Sequence, residues 1–250
     1  MLPAHLRQQR IERWTGIGFV SPALLLFVLT GLLPLAVLLG LSFTDYELGA
    51  IDVKNVGFAN FARAFADPGF RRAFGNTLLY VAIVLPGAVG LGLLVAILVH
   101  GRRRTRGLYE VIYFLPVTST LIAMATVWQF LLHPRLGPVN ALLRFLGIGE
   151  IPFLSEPHLA LPTLAVVGIW QLLGFNMVLF LAGLSAIPRD LYEAAEVDGC
   201  TGALDRFFTI TLPLLTPTTM LVVVTTTITA FKVFDTVAVM TRGGPLGASE

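Results

Sequence analysis

Few residues in this sequence are of a kind that does chemistry, and their spacing rules out most reactions. The four histidines, His5, His100, His133 and His158, sit at the ends of apolar runs or near the terminus, and no HExxH pair is present to hold a metal. No GxSxG turn presents a serine nucleophile, and no glycine-rich loop ending in Lys-Ser/Thr cradles a phosphate. The chain therefore has no evident route to bind ATP itself, and any energy it uses comes from an ion gradient or another subunit. Lys232 and Asp235 stand at i and i+3 at the outer end of an apolar run, close enough to pair across one helical turn. The plainer reading of Lys232 is that its stem lies along the bilayer and its ammonium reaches the interface.

The largest group of acids lies in residues 189–206, where Asp190, Glu193, Glu196, Asp198 and Asp205 face only Arg189 and Arg206. Pro188 is placed to begin a helix, and Asp190 and Glu193 are expected in its first turn, where the helix dipole favours acids. Leu191, Ala194 and Ala195 share one face at i, i+3 and i+4. Gly199 suits a left-handed helix end. A short amphipathic helix of this kind either docks into a cleft on another protein or packs at the membrane interface, although it lacks the basic face that interfacial helices favour.

These groups must be carried by a membrane framework. Charged residues are only 13% of the 250 positions and mean hydropathy is +0.81, whereas soluble domains average about 25% charged. A net charge of +2 gives no basis for nucleic-acid binding, and one cysteine, Cys200, excludes an internal disulfide framework. Five runs without Asp, Glu, Lys or Arg, at 14–44, 73–99, 111–132, 159–188 and 207–231, each reach the roughly 20 residues that cross a bilayer. They are too long, and too uniformly apolar, for barrel strands. The expected fold is an all-α, polytopic transmembrane helical bundle with five predicted spans. The first run is also longer than the apolar core of a cleaved signal, so it reads as a retained helix.

Arg7, Arg10 and Arg13 precede the first run, and Arg102, Arg103, Arg104 and Arg106 crowd the tight second loop. Alternating spans put both groups on one side, which the positive-inside rule makes cytoplasmic; the N-terminus is then inside. The loops 45–72 and 133–158 fall outside, and the acidic loop falls inside, since acids carry little topological weight. Pro22, Pro34, Pro86, Pro116 and Pro162 lie within spans and are expected to bend them. Ala88, Gly92 and Ala96, with Gly87 and Gly90 beside them, make a flat stripe for close helix packing. The organisation is a cytoplasmic segment 1–13, a first helix 14–44, an extracytoplasmic loop 45–72, and a membrane domain 73–250 containing the loop 188–212.

The series Glu193-Ala194-Ala195, Gly199 and Ile210-x-Leu212-Pro213 resembles the EAA loop of ABC importer permeases. Flanking segments resemble the sugar and glycerol-phosphate branch of that family: Phe180 to Pro188 upstream, and Phe234 to Pro245 downstream. Asn76-Thr77, Phe114-Leu115-Pro116, Trp128 and Gly137-Pro138-Val139-Asn140 sit where that branch has similar residues. The resemblance runs from about residue 15 to the end of the sequence.

The resemblance implies a type I importer permease core whose last helix is missing, because the 19 residues after Phe231 are too few and too polar to span. A truncated form of this kind is expected not to sustain transport alone. The implied role is the membrane subunit of an ATP-driven importer for sugars or related carbohydrates, in a bacterial or archaeal inner membrane. Glu193, Ala194, Ala195, Asp198 and Gly199 would form the helix seated on a cytoplasmic ATPase dimer, which binds the ATP; no cofactor is expected on this chain. A second homologous permease and an extracytoplasmic substrate-binding protein would complete the assembly. Related permeases line the pathway from the fourth and fifth runs, which marks Gln171, Phe175, Asn176, Thr225, Thr226, Thr227 and Thr229, although membrane threonines also bond their own helix. One departure concerns register: residues 200–209 separate Gly199 from Ile210 by one more position than the family pattern, an excess that redirects the following helix or is absorbed as a bulge. Cys200 stands where alanine is common and reads as a packing residue, since neighbouring acids disfavour a thiolate. The competing reading is an ion-coupled secondary transporter, disfavoured because no carboxylate relay lies near mid-span.

Overall fold

The computed structural model describes residues 4–49, 52–102, 104–200 and 202–250. Arg103 and Thr201 lie outside the described residues, as do the side chains of Arg7 and Arg10. All regular structure among the described residues is helical; the one extended pairing is an isolated bridge between Thr44 and Asn55. The chain divides into two units, Met1–Pro68 and Gly69–Glu250.

The first unit is a rod of α1 (Ala4–Phe27), a π-helical turn (Val28–Leu32) and α2 (Leu33–Leu41). Its apolar part, Glu12–Leu41, is 30 residues long, enough to cross a hydrocarbon core about 30 Å thick. The wide turn lies just ahead of Pro34, which brings no N–H and crowds the preceding turn. Beyond α2, Phe43 meets Phe58 and Phe61 at 5.3 and 5.5 Å between ring centroids. Asn60, on α3 (Ala59–Ala66), donates to the Ser42 and Thr44 carbonyls. This aromatic and amide knot closes the loop on the rod's end.

The second unit holds α4 (Pro68–His100), α5 (Arg106–Thr118), α6 (Leu121–Leu131), α7 (Pro138–Phe145) and α8 (Pro157–Ala186). After it come α9 (Arg189–Val197), α10 (Ala203–Arg206), a π turn (Phe207–Thr211), α11 (Leu212–Leu214), α12 (Thr216–Phe231) and α13 (Asp235–Met240). Helix α8 is apolar on every side, as a helix packed on others along one face and open to lipid along another must be. It packs on α5 and α12, and Leu164, Ala165, Met177 and Phe180 on it are fully buried. The small-residue stripe of α4 faces it: Ala88 and Ala96 are fully buried, and a Cβ on Gly92 would come within 2.7 Å of Asn176 Cβ. Gly87 is set against Ile169 in the same way, whereas Gly90 faces open space.

The third apolar run differs from its expectation. It is not one rod but α5 and α6, bent by 98°. Pro116 withholds a donor from the Ile112 carbonyl, the Thr118 hydroxyl bonds back to the Leu115 carbonyl at 2.8 Å, and Ser119 and Thr120 adopt extended backbone. Among the described residues four helices are long and apolar enough to cross a membrane, or five with the bent pair counted as one. Elsewhere α1, α4 and α8 continue through Pro22, Pro86 and Pro162 without interruption.

Loops of the second unit are held by single polar residues. Asn140 is fully buried; its amide receives the Ile151 N–H at 2.8 Å and donates to the Ile151 carbonyl at 3.1 Å. Gly137 before it leaves no room for a side chain against the carbonyls of Leu131 and His133. Arg72 and Asn76 on α4 donate to the carbonyls of Leu246 and Gly247, each at 3.0 Å, clasping the segment after α13.

Candidate functional site

The acidic loop forms α9, with Pro188 at its N-cap and Asp190 in its first turn. Its end is a Schellman motif: Cys200 N–H bonds the Ala195 carbonyl at 2.8 Å, Gly199 N–H bonds the Glu196 carbonyl, and Gly199 takes φ +91°. Tyr192 and Ala195 are half-buried toward the bundle, and the Tyr192 hydroxyl lies 3.0 Å from Thr211 Oγ1. Leu191, Glu193, Ala194 and Val197 are exposed. Among the described residues Glu193 has no ion-pair partner, whereas Glu196 is held by Arg206 at 3.3 Å. Glu193 falls in the second turn, not the first, so an N-terminal dipole does not account for it. Asp198 is the exposed C-cap.

Past Gly199, Arg206 Nε donates to the Cys200 carbonyl at 3.1 Å. The chain then enters the π turn, where Leu212 N–H reaches back five residues to Phe207. A π turn holds one residue more than an α turn needs. Ile210 and Thr211 are buried in this turn.

The residues expected on the pathway divide into two groups. Gln171 and Phe175 of α8 and Thr229 of α12 line one cavity of about 520 Å³. Tyr80 of α4, Leu121 at the break between α5 and α6, and Lys232 and Asp235 are also among its lining residues. Asn176 and Thr226 do not reach it. Both are buried and bonded to each other, amide to hydroxyl at 3.0 Å and hydroxyl to amide oxygen at 3.2 Å. Thr225 bonds the Leu221 carbonyl, and Thr227 the Val223 carbonyl, each on its own helix. Thr229 also bonds its own helix, at the Thr225 carbonyl, while staying exposed to the cavity.

The Lys232–Asp235 pair that the i, i+3 spacing allows does not form. Helix α12 ends at Phe231 and α13 begins at Asp235, so one helical turn no longer joins the two side chains. The cavity instead gains an ammonium and a carboxylate on separate elements. Nothing in the spacing of these residues marked the role of Tyr80, which reaches it from α4. The residue facing Tyr80 on α8 is Gly168, a signal of close approach legible only once the helices are paired.

An all-α bundle of membrane-spanning helices, with a largely apolar cavity that carries a few polar groups and a short exposed helix between two spans, defines a membrane permease. Residues 88–249 match the family described as binding-protein-dependent transport system inner membrane component. The sulfoquinovosyl glycerol transport permease SmoG of Agrobacterium fabrum is 34% identical over 244 residues, covering 94% of this chain and 79% of that protein. The sn-glycerol-3-phosphate transport permease UgpA of the same organism is 32% identical over 234 residues, covering 92% and 78%. A chain from the crystal structure of a bacterial alginate ABC transporter, in complex with an alginate pentasaccharide-bound periplasmic protein, superposes with a TM-score of 0.78. That match is 26% identical and covers 96% of this chain and 81% of that one. The chain belongs to the binding-protein-dependent transport system inner membrane component family.

Proposed function

We propose that this chain forms half of the translocation pathway of an ATP-driven carbohydrate importer and that α9 is its coupling helix. The observation that carries this is the exposed, Gly199-terminated α9 with an unpaired Glu193 carboxylate and an open Leu191–Ala194–Val197 stripe. Such a helix offers a charge and a shallow apolar face to a groove of a cytoplasmic ATPase, and the Tyr192–Thr211 bond ties it to the helix leading into α12. Closure of an ATPase dimer around ATP pushes α9 and tilts α8 and α12, between which the cavity lies. A second homologous permease forms the other half, and an extracytoplasmic binding protein delivers cargo. The N-terminus is cytoplasmic in this arrangement, as the arginine-rich second loop requires.

Carbohydrate is the proposed cargo because the related permeases are named for sugar conjugates and glycerol phosphate. It also suits the cavity, where the Gln171 amide bonds hydroxyls in both senses and the Phe175 ring lies against a sugar's apolar face. Gln171, Phe175 and Thr229 are the proposed contacts, with Asn176 and Thr226 fastening the helices beneath them. The test is Glu193→Ala and Gly199→Val in the assembled transporter. Loss of ATP-driven uptake with normal membrane insertion is expected; unchanged uptake in both, or access of a membrane-impermeant thiol reagent to Cys200 only from outside, overturns the assignment.

A further inference from the structure

A second cavity, of about 700 Å³, lies behind α9, between the end of α4, the start of α5 and the end of α8. Three arginines and a histidine line it, Arg106, Arg189, Arg206 and His100, and no carboxylate does. The Ser185, Tyr192 and Thr211 side chains add hydroxyls to the same wall. Two of the cations are partly neutralised from outside the cavity: Arg106 by Glu110 at 2.7 Å and Arg206 by Glu196 at 3.3 Å. Arg189 has no ion-pair partner among the described residues.

The charge placement runs against helix electrostatics. Arg106 is the first residue of α5 and Arg189 the first of α9, and neither helix has a side chain capping its opening N–H groups. Helix starts carry a positive dipole end and unmet donors, so a cation there is unfavourable and an anion is favoured. Both starts, each bearing an arginine, open on one cavity whose lining holds no acid; Asp190 in the first turn of α9 offsets part of that helix's dipole, and the first turn of α5 has no acid at all. The arrangement becomes favourable when a multivalent oxyanion sits among the guanidiniums, which bind phosphate in a fork geometry.

We infer that this cavity binds a phosphate group, and that its source is the headgroup of an anionic membrane lipid. The depth of the cavity argues for lipid: His100 ends the apolar helix α4 and Arg106 opens α5, so the cavity lies where a span meets the headgroup layer. Basic pockets between spans on the cytoplasmic side are suited to anionic headgroups. Placement on that side rests on the function proposed above. A phosphate bridging Arg189 of α9 to Arg106 of α5 would brace the coupling helix against the bundle and make transport sensitive to anionic lipid.

The test uses the full chain, labelled with an environment-sensitive fluorophore at Cys200, whose carbonyl accepts from Arg206. The labelled chain is reconstituted in phosphatidylcholine nanodiscs with rising fractions of phosphatidylglycerol. A saturable signal is expected, with apparent affinity about thirtyfold weaker in Arg189→Gln/Arg206→Gln. Because Arg206 also holds Glu196, Arg189→Gln alone provides a second reading and should weaken binding by about fivefold. Inorganic phosphate that reproduces the signal in pure phosphatidylcholine supports the site and assigns it to free phosphate; no response to phosphate alone assigns it to lipid. The inference is overturned if neither probe gives a saturable signal. Equal weakening by Arg102→Gln/Arg104→Gln, outside the cavity, overturns it too, as does loss of the signal once an ATPase partner is bound. Nanodiscs expose both faces, so a wrong orientation of α9 would sink the coupling role and leave this measurement intact.

Discussion

Asn176 and Thr226 grip each other across the contact of α8 and α12, the amide donating at 3.0 Å and the hydroxyl returning a bond at 3.2 Å. Both are buried, and the Asn176 Cβ also fills the place that Gly92 leaves open on α4. Three spans therefore meet at one polar pair. Any motion that opens the bundle must carry the pair intact or break both bonds together.

Thr226→Val keeps the shape of the side chain but strands a buried amide. Its expected cost is about 1–2 kcal/mol, above the average for hydrogen bonds between membrane helices because both amide groups lose their partner. Thermal unfolding of the reconstituted chain measures it. Adding Asn176→Leu should recover part of the loss; a double variant less stable than Thr226→Val would argue that the pair does not act as a unit.

Gly174→Ala should be among the most damaging single changes in the bundle. The added Cβ would run into the Tyr113 backbone carbonyl on α5, an element with no side-chain freedom to yield. A loss of about 2–3 kcal/mol is expected from overpacking. Gly90→Ala, with nothing within 4 Å of the new atom, is the control and should be neutral or slightly stabilising. Equal stability of the two variants in the same unfolding assay would refute this account of the α5–α8 contact.

At Gly199 the backbone conformation, not space, sets the requirement, since φ is +91° and no atom lies within 4 Å of where a Cβ would stand. Asn, which tolerates left-handed backbone, should retain most uptake, whereas Val, branched at Cβ, should abolish it. Measured uptake that ranks Val at or above Asn would show that the helix end is not what matters.

In the cavity lined by Gln171 and Phe175, Gln171→Leu and Phe175→Ala should each reduce uptake about tenfold or more, through lost hydrogen bonding and lost ring contact. Thr225→Val, whose hydroxyl is spent on its own helix, should leave uptake unchanged. Comparing initial uptake rates at equal expression separates these outcomes, and a Thr225→Val defect as large as that of Gln171→Leu would reassign the cavity.

Much of this molecule can be read from residue types in order along the chain. Uncharged runs locate the spans because the bilayer interior penalises charge wherever it falls, without reference to neighbours. The start and end of α9 are legible for a similar reason: a proline that opens a helix and a glycine that takes left-handed backbone act within a few residues of themselves. The small-residue stripe of α4 also signals a close helix contact before its partner is known.

What packing settled is which polar groups are free and which are committed to one another. Asn176 and Phe175 are neighbours in sequence, yet one is locked to Thr226 and the other faces a cavity, because a helix turns each successive side chain by about 100°. Separation of Lys232 from Asp235 depended on α12 stopping at Phe231, and the break between α5 and α6 on three hydroxyl residues following a proline. The arginine-lined cavity joins residues from positions 97 to 211. Charge and hydropathy act locally and survive in a linear reading; mutual satisfaction of polar groups across helices exists only when those helices are brought side by side.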